Sequence, residues 1–589
     1  VYDGKVIIRL KDKACKNTDE LLSSSLFLEI LNDYLKGLTR QKSKLLKVFE
    51  NDEPTPADIR ILVETLKFLT KLPCDLVVKV VDGSDQFFRD RALFNEFVEQ
   101  LYNYWRALHR VVICDSVGDR LDKRPYRTFN DTVENLMHMI RSAYRDVQEN
   151  ITGNHPRIYR QVSAGAEIAT IAIHKNIEYP SRIYKKLNAI SLIRQVLIYP
   201  PLIFNTPTNK RTGSFERVDR NPLNGIDINP KEWLCYPAKV GPLVIMIYFS
   251  IQFFELGFTM SNLFELADDE DLERQPDAIF LYGVPEEMLK VKAKSGTIFF
   301  DDEENNLLVA TIPLRDDFGY FGYLKKMALT LHNIKMMKAG RLPYHGAMFN
   351  ITLRDRKPAT VLVMGDTGAG KSETLEALRM IARDDVEDLI IIADDMGSLE
   401  IGDNGSILGY GTEMGAFVRL DDLQSGYAFG QIDRTIIMNP NQVNARVVIP
   451  VTRFSEVVKG YPVDFVLYAN NYEVVSGEHP AVEAFDCANE AFDVFRAGKV
   501  MSKGTTTSTG MVGTYFANIF GPPAYIDLHD ELAQKYFNAF FEKGLYVGQM
   551  RTQLGIHGEE QDGPKKAAQH LLNVIRDHTE VVNQDETVG

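Results

Sequence analysis

The sequence predicts an α/β protein with a mixed-sheet P-loop core and a largely helical N-terminal region. Three observations lead there. The stretch Thr360-Val-Leu-Val-Met-Gly-Asp-Thr-Gly-Ala-Gly-Lys-Ser-Glu-Thr-Leu-Glu-Ala-Leu-Arg379 runs from a short apolar strand through a glycine loop into a helix, the setting in which a P-loop works. Phe88 to Leu108 and Asn130 to Asn150 carry apolar residues at helical spacing with charges opposite, and Asn130-Asp131-Thr132 is expected to cap the second helix. Ala278 to Tyr282, Thr297 to Asp301 and Leu307 to Ile312 read as strands, the last two joined as a hairpin through Asp302-Glu-Glu-Asn-Asn306. Three segments follow from this: 1–200 mostly helical, 201–340, and 341–589 carrying the loop.

The loop residues Gly365, Asp366, Thr367, Gly368, Ala369, Gly370, Lys371 and Ser372 fit G-x-x-x-x-G-K-[ST]. Glycines let a backbone wrap a phosphate with its N–H groups, and the following helix presents its positive end. Lys371 can reach terminal phosphates, and the Ser372 hydroxyl can ligate a divalent cation. Beyond the loop, the apolar run Leu389 to Ala393 ends in Asp394-Asp395, and paired carboxylates after a buried strand suit metal coordination.

The remainder bounds the answer. A 589-residue chain with 45% hydrophobic and 25% charged residues can bury more than one core. Its net charge of −14 argues against a broad nucleic-acid surface. Five scattered cysteines without a C-x-x-C pair suit reduced thiols in a cytoplasmic protein. No apolar run reaches the roughly 20 residues of a membrane span, and Leu243 to Phe258 reads as a buried segment. Tyr199 to Pro237 breaks into proline-rich loops. Within them, Asn205-Thr-Pro-Thr-Asn-Lys-Arg-Thr-Gly-Ser-Phe-Glu-Arg217 reads equally as an anion-binding or a solvated basic loop.

Taken in order, several segments resemble the phosphoenolpyruvate carboxykinase superfamily, whose phosphate-binding core is shared with HPr kinase/phosphorylases. They are Ser295-Gly-Thr-Ile-Phe-Phe-Asp301, Tyr320-Phe-Gly-Tyr-Leu-Lys-Lys326, His345 nineteen residues on, the glycine loop, Asp394-Asp395, Asn444-Ala-Arg446 with Pro450, and Ala497-Gly-Lys-Val-Met-Ser-Lys-Gly-Thr-Thr-Thr-Ser-Thr509. The resemblance covers about residues 240 to 560 and leaves the N-terminal region without a counterpart. It implies a carboxykinase-like core, with 201–340 as its N-terminal substrate lobe and 341–589 as its phosphate- and nucleotide-binding lobe.

The implied activity interconverts oxaloacetate with phosphoenolpyruvate and CO2, coupled to phosphoryl transfer. By resemblance, Lys326, His345 and Asp395 would hold Mn²⁺, while Ser372 and Asp394 would hold the Mg²⁺ of the donor phosphates. Lys371 and Arg446 would act on the transferred group, Tyr320 would pack beside the enolpyruvate, and Arg211 would bind its carboxylate or phosphate. Lys503 and Thr509 would line the base of ATP/ADP, although Lys503 stands where the ATP-dependent enzymes have an arginine. Alternatives are a pyrophosphate/phosphate-dependent carboxykinase, an HPr-kinase-like protein or serine kinase, suggested by the wording of the loop, and a non-catalytic regulatory relative. The expected partners are small molecules, not nucleic acid or a membrane.

Overall fold

A computed structural model describes residues 4–10, 15–51, 53–116, 123–212, 214–291, 294–381, 385–420, 432–503 and 509–580. The protein is mixed α/β and divides into two compact units, Val1–Lys175 with Ile193–Leu202, and Asn176–Leu192 with Ile203–Gly589. Lys338 and Leu342, on either side of the expected 340/341 boundary, both lie inside the second unit.

The N-terminal unit holds strands the helical reading did not foresee. β1 (Lys5–Leu10), β2 (His109–Ser116), β3 (Ile168–Ile173) and β4 (Leu192–Ile198) are neighbours in that order, with β1, β2 and β3 parallel. Helices α1 (Thr18–Leu22), α2 (Ser25–Arg40), α3 (Pro56–Leu69), α4 (Arg91–Ala107) and α5 (Lys123–Thr152) supply the rest. Local chemistry sets some of their ends. Thr55 and Asp58 form a reciprocal capping box before Pro56, whose missing N–H costs nothing at a helix start. By contrast, Asn130-Asp131-Thr132 does not cap. α5 begins at Lys123, and Phe129 and Val133 continue its buried face straight through that polar triplet. The interior gathers Leu31, Leu62, Leu66, Phe87, Phe94 and Phe97.

In the second unit, β5 (Trp233–Val240), β6 (Leu243–Ser250), β7 (Ala278–Val284), β8 (Ile298–Asp302) and β9 (Leu307–Pro313) form a sheet in the order β5-β6-β7-β9-β8. β8 and β9 are the expected antiparallel hairpin, and Leu243 to Phe258 is a buried strand followed by a short helix. α6 (Phe321–Lys338) follows and is buried on nearly all sides, including Lys325, His332 and Asn333. A second sheet is built on β10 (Leu342–Leu353), with β11 (Ala359–Met364), β12 (Val386–Ala393), β13 (Met396–Ile401) and β14 (Ile407–Gly411). α7 (Lys371–Ile381) lies between β11 and β12 in the chain. β15 (Gly415–Arg419), β16 (Ile436–Met438) and β17 (Arg446–Pro450) make a small antiparallel sheet, and β18 (Phe465–Asn470) runs parallel to β11. The last elements are the paired strands β19 (Lys499–Lys503) and β20 (Thr509–Gly513), a helix over Ile526–Glu542, then β21 (Tyr546–Arg551) beside β18, and α8 (Asp562–His578), whose Leu571, Leu572 and Ile575 join Ala377 and Leu378 of α7 in one core.

β10 is flanked on one edge by β12 and β13 in succession, Met348 to Leu353 pairing with β12 and Leu342 to His345 with β13, and on the other edge by β11, which pairs with Gly346 to Ile351. The Asp394-Asp395 link is the break between β12 and β13, beside His345 and Gly346.

Candidate functional site

Beside that link, main-chain bonds fix three segments together. Gly365 N–H donates to the His345 carbonyl at 3.1 Å, and Gly346 N–H donates to the Asp395 carbonyl at 2.9 Å. A Cβ on Gly346 would stand 2.5 Å from the Val363 carbonyl oxygen, so the close approach requires glycine. The end of β11, the His345 position and the carboxylate link therefore meet in one place.

The loop that follows β11 has the glycine geometry its sequence predicts. Gly368 and Gly370 have φ of +79° and +96°, a region open to glycine and costly for other residues. A Cβ on Gly370 would also stand 2.5 Å from Thr552 Oγ1, which itself donates to the Ala369 carbonyl at 2.7 Å. Asn471 Nδ2 donates to the Gly368 carbonyl at 2.9 Å, and Thr514 Oγ1 donates to Asp366 Oδ2 at 3.2 Å. The Lys371 ammonium is buried and folds back onto the Gly365 and Asp366 carbonyls at 2.5 and 3.1 Å. Burial lowers its proton affinity, against the pull of Asp395, Asp366 and Asp394. Ser372 is exposed at the start of α7.

Three predicted ligands converge. Lys326 Nζ donates to Asp395 Oδ2 at 2.5 Å, and His345 Nε2 lies 3.0 Å from Asp395 Oδ1. His345 is 1% exposed, and its Nδ1 faces the Ala517 carbonyl, which can only accept, so Nδ1 carries the proton. Nε2, 3.0 Å from Asp395 Oδ1, is the ring's bond to that carboxylate when it carries a proton, and without one the nitrogen and the carboxylate oxygen are two electron-pair donors side by side. That juxtaposition suits a shared cation. Ala517 is held by an unusual turn: Phe516, Ala517 and Asn518 have φ of +42°, +57° and +62°, three successive non-glycine residues in the left-handed region. Such strain persists only where the surroundings impose it.

The charges around Asp395 are denser than expected. Lys325 Nζ lies 2.9 Å from Asp395 Oδ2 and 3.3 Å from Glu413 Oε1, all but enclosed. Burial opposes its charge, but Asp395 and Glu413 outweigh burial and raise the lysine's proton affinity. Burial lowers that of Lys326, assisted by the neighbouring Lys325 ammonium and opposed by Asp395. Burial pushes up the carboxyls of Asp394 and Glu413, the latter also bonded to Thr412 Oγ1. Asp395 stays well below the usual carboxylate range, because Lys325, Lys326 and His345 overcome its burial.

Tyr320 precedes α6, buried, with its ring 5.8 Å from Phe417. Arg446 stands at the start of β17, its guanidinium 5.4 Å from the same Phe417 ring. Arg211 reaches the cluster from the loop 205–212: its guanidinium lies 5.5 Å from the Phe520 ring, over which Lys326 Nζ also sits at 4.4 Å. That loop is tied to the segment before β17 by Thr206 N–H to Asn439 Oδ1 at 2.8 Å and Asn444 Nδ2 to the Asn209 carbonyl at 2.7 Å. The expected base-contacting pair, Lys503 and Thr509, are backbone partners across β19 and β20. Their side chains, and residues 504–508, lie outside the described residues.

Sequence reasoning missed Lys325, Glu413, Thr514, Ala517 and Phe520. Only Lys325 left a local signal, as the lysine beside Lys326 at the start of a helix rich in Leu, Met and aromatic residues. Among the described residues no three His, Cys, Asp or Glu side chains form a metal-holding group, so the candidate set depends on lysine as its third donor. All five cysteines are free, and no helix among the described residues is long and apolar enough to cross a membrane. No protein-family model matches the chain, and no curated protein matches it, so the functional reading rests on these residues themselves.

Proposed function

We propose that the second unit is a P-loop, carboxykinase-like core that interconverts oxaloacetate and phosphoenolpyruvate plus CO2, with ATP/ADP as phosphoryl partner. The observation that carries this reading is the convergence on Asp395 of Lys326 and His345, from separate elements, beside the glycine loop. The donor set of amine, imidazole and carboxylate fits Mn²⁺. Lys326 is displaced toward the neutral amine that ligation needs, and His345 presents Nε2 to the same place. A divalent cation held there supplies Lewis acidity to the enolate that loss of CO2 leaves. Ser372 and Asp394 would hold Mg²⁺ with the donor phosphates.

In this reading the chain's own residues do the rest. Lys371 leaves the Gly365 and Asp366 carbonyls for the phosphates, and Arg446 balances charge on the transferred group. Arg211 and Tyr320 hold the three-carbon substrate, with the Phe520 ring setting the spacing between Arg211 and Lys326. The test is oxaloacetate formation from phosphoenolpyruvate, bicarbonate and Mn²⁺ with ADP, GDP or phosphate in turn. Turnover with ADP, lowered on the order of 10²–10³-fold by Lys371→Ala in a folded protein, is expected. Turnover with phosphate alone transfers the reading to the pyrophosphate reaction. None with any acceptor overturns it.

A further inference from the structure

We propose that the N-terminal unit binds a single-chain carboxylate amphiphile, its hydrocarbon chain in a cavity between α1, α2, α4 and α5 and its head on two arginines. The cavity measures about 120 Å³. Leu22, Ile30, Leu66, Leu101, Ala143 and Val147 form its buried floor, while half-buried Leu26, Phe27, Leu136 and Ile140 line a way in. Every polar group on its wall that the structure pairs is turned elsewhere. Trp105 Nε1 donates to the Ala164 carbonyl at 2.6 Å, Ser24 Oγ to the Leu21 carbonyl at 2.7 Å, and the Tyr144 hydroxyl to Glu99. The cavity wall is therefore hydrocarbon and ring face. A cavity somewhat smaller than the roughly 150 Å³ apolar ones that take up benzene accepts about five carbons of a chain, the rest of a longer one lying along the entrance formed by Leu26, Phe27, Leu136 and Ile140.

One side of the cavity wall is not neutral. Tyr102 lines it, stacked on Tyr144 at 3.9 Å and 5°. The Arg106 guanidinium lies 5.9 Å from the Tyr102 ring, and Arg106, Arg141 and Arg145 all act electrostatically on its hydroxyl. Arg145 also faces Asp146 and Glu149. Arg106 and Arg141 instead bond backbone carbonyls, of Ser163 at 3.4 Å and of Val162 and Gln161 at 2.8 and 3.3 Å. Carbonyls engage N–H groups but cancel no charge. The acid that faces Tyr102 is Glu99, which accepts from Tyr144 and Gln148. Two guanidinium forks beside an apolar cavity suit a carboxylate bearing a hydrocarbon tail. Nothing here depends on the catalytic reading of the second unit.

Isothermal titration of the full chain with decanoate, decanol and acetate tests it. Saturable one-site binding of decanoate is expected, with decanol weaker by about tenfold and acetate without signal. Ala143→Leu fills the floor and should weaken decanoate by about tenfold or more, and Ile140→Trp at the entrance does the same should Ala143→Leu not fold by circular dichroism. Arg106→Gln with Arg141→Gln should lower decanoate affinity to that of decanol and leave decanol unchanged. Absence of saturable decanoate binding, or indifference to both cavity-filling variants, overturns the site. Equal affinity for decanol and decanoate overturns the arginine head site. Binding only to phosphatidylglycerol-containing vesicles would make it a membrane surface instead.

Discussion

In the N-terminal unit the interior around Leu62, Phe94 and Phe97 is hydrocarbon and aromatic ring, whereas α6 of the second unit carries Lys325, His332 and Asn333 completely inside. Among its described residues the first unit also buries Arg110, and gives it the Gly165, Trp105 and Arg106 carbonyls at 2.6, 2.9 and 2.9 Å with the Glu167 carboxylate at 3.6 Å. That arginine is a clamp on the chain. Around Asp395, by contrast, the partners are mostly charged side chains rather than carbonyls, brought from separate elements, an arrangement that costs desolvation. Under the proposed reading, the difference separates polar burial that serves structure from polar burial that serves chemistry.

Removing the centre of the charged cluster should have the largest effect. Asp395→Ala leaves Lys325 and Lys326 buried without their shared carboxylate, and should cost about 3–5 kcal/mol in urea unfolding while abolishing Mn²⁺ binding. A loss below about 1 kcal/mol would mean the cluster is already hydrated and the contrast is false. Phe94→Ala is the matching cut in the apolar unit. With the ring fully buried against Phe87, Phe88 and Phe97, its loss should also cost about 3–5 kcal/mol, now with Mn²⁺ affinity of the folded protein unchanged.

Acid sharpens the comparison. Burial lowers both His332 and His529 to about 4, so each is neutral in the fold and takes a proton more readily when unfolded. Their contribution is therefore complete above about pH 6.5 and lost as pH falls toward 4. The unfolding free energy should drop between pH 7 and pH 5 by about 2 kcal/mol for each histidine, and His529→Gln should remove one share. A flat profile would show that these rings are not held neutral. The smallest effect expected is that of His345→Ala, which should weaken Mn²⁺ binding about 10-fold or more in a direct titration. An unchanged Mn²⁺ titration would remove His345 from the site.

The sequence by itself determined what is local. The glycine loop sits between a strand and a helix because a buried β-branched run, two left-handed glycines and a helix-forming segment follow one another without help from elsewhere. Likewise β8, β9 and the Asp394-Asp395 link at the end of β12 follow from neighbouring residues. Asp395 was legible as a carboxylate beyond a buried strand, whereas Lys326 and His345, and the grouping of all three, were legible only through a resemblance, since nothing in their spacing says that they meet. Tertiary structure alone decided the rest. β1, β2 and β3 are short apolar runs that periodicity cannot separate from buried helix, and their partners lie far away in the chain. α5 overran its polar triplet because continued burial of its apolar face outweighs a cap. Glu413, Ala517 and Phe520 acquire roles only when strand pairing carries them to Lys325, His345 and Lys326, because electrostatic and hydrogen-bonding energies depend on distance in space and not on position along the chain.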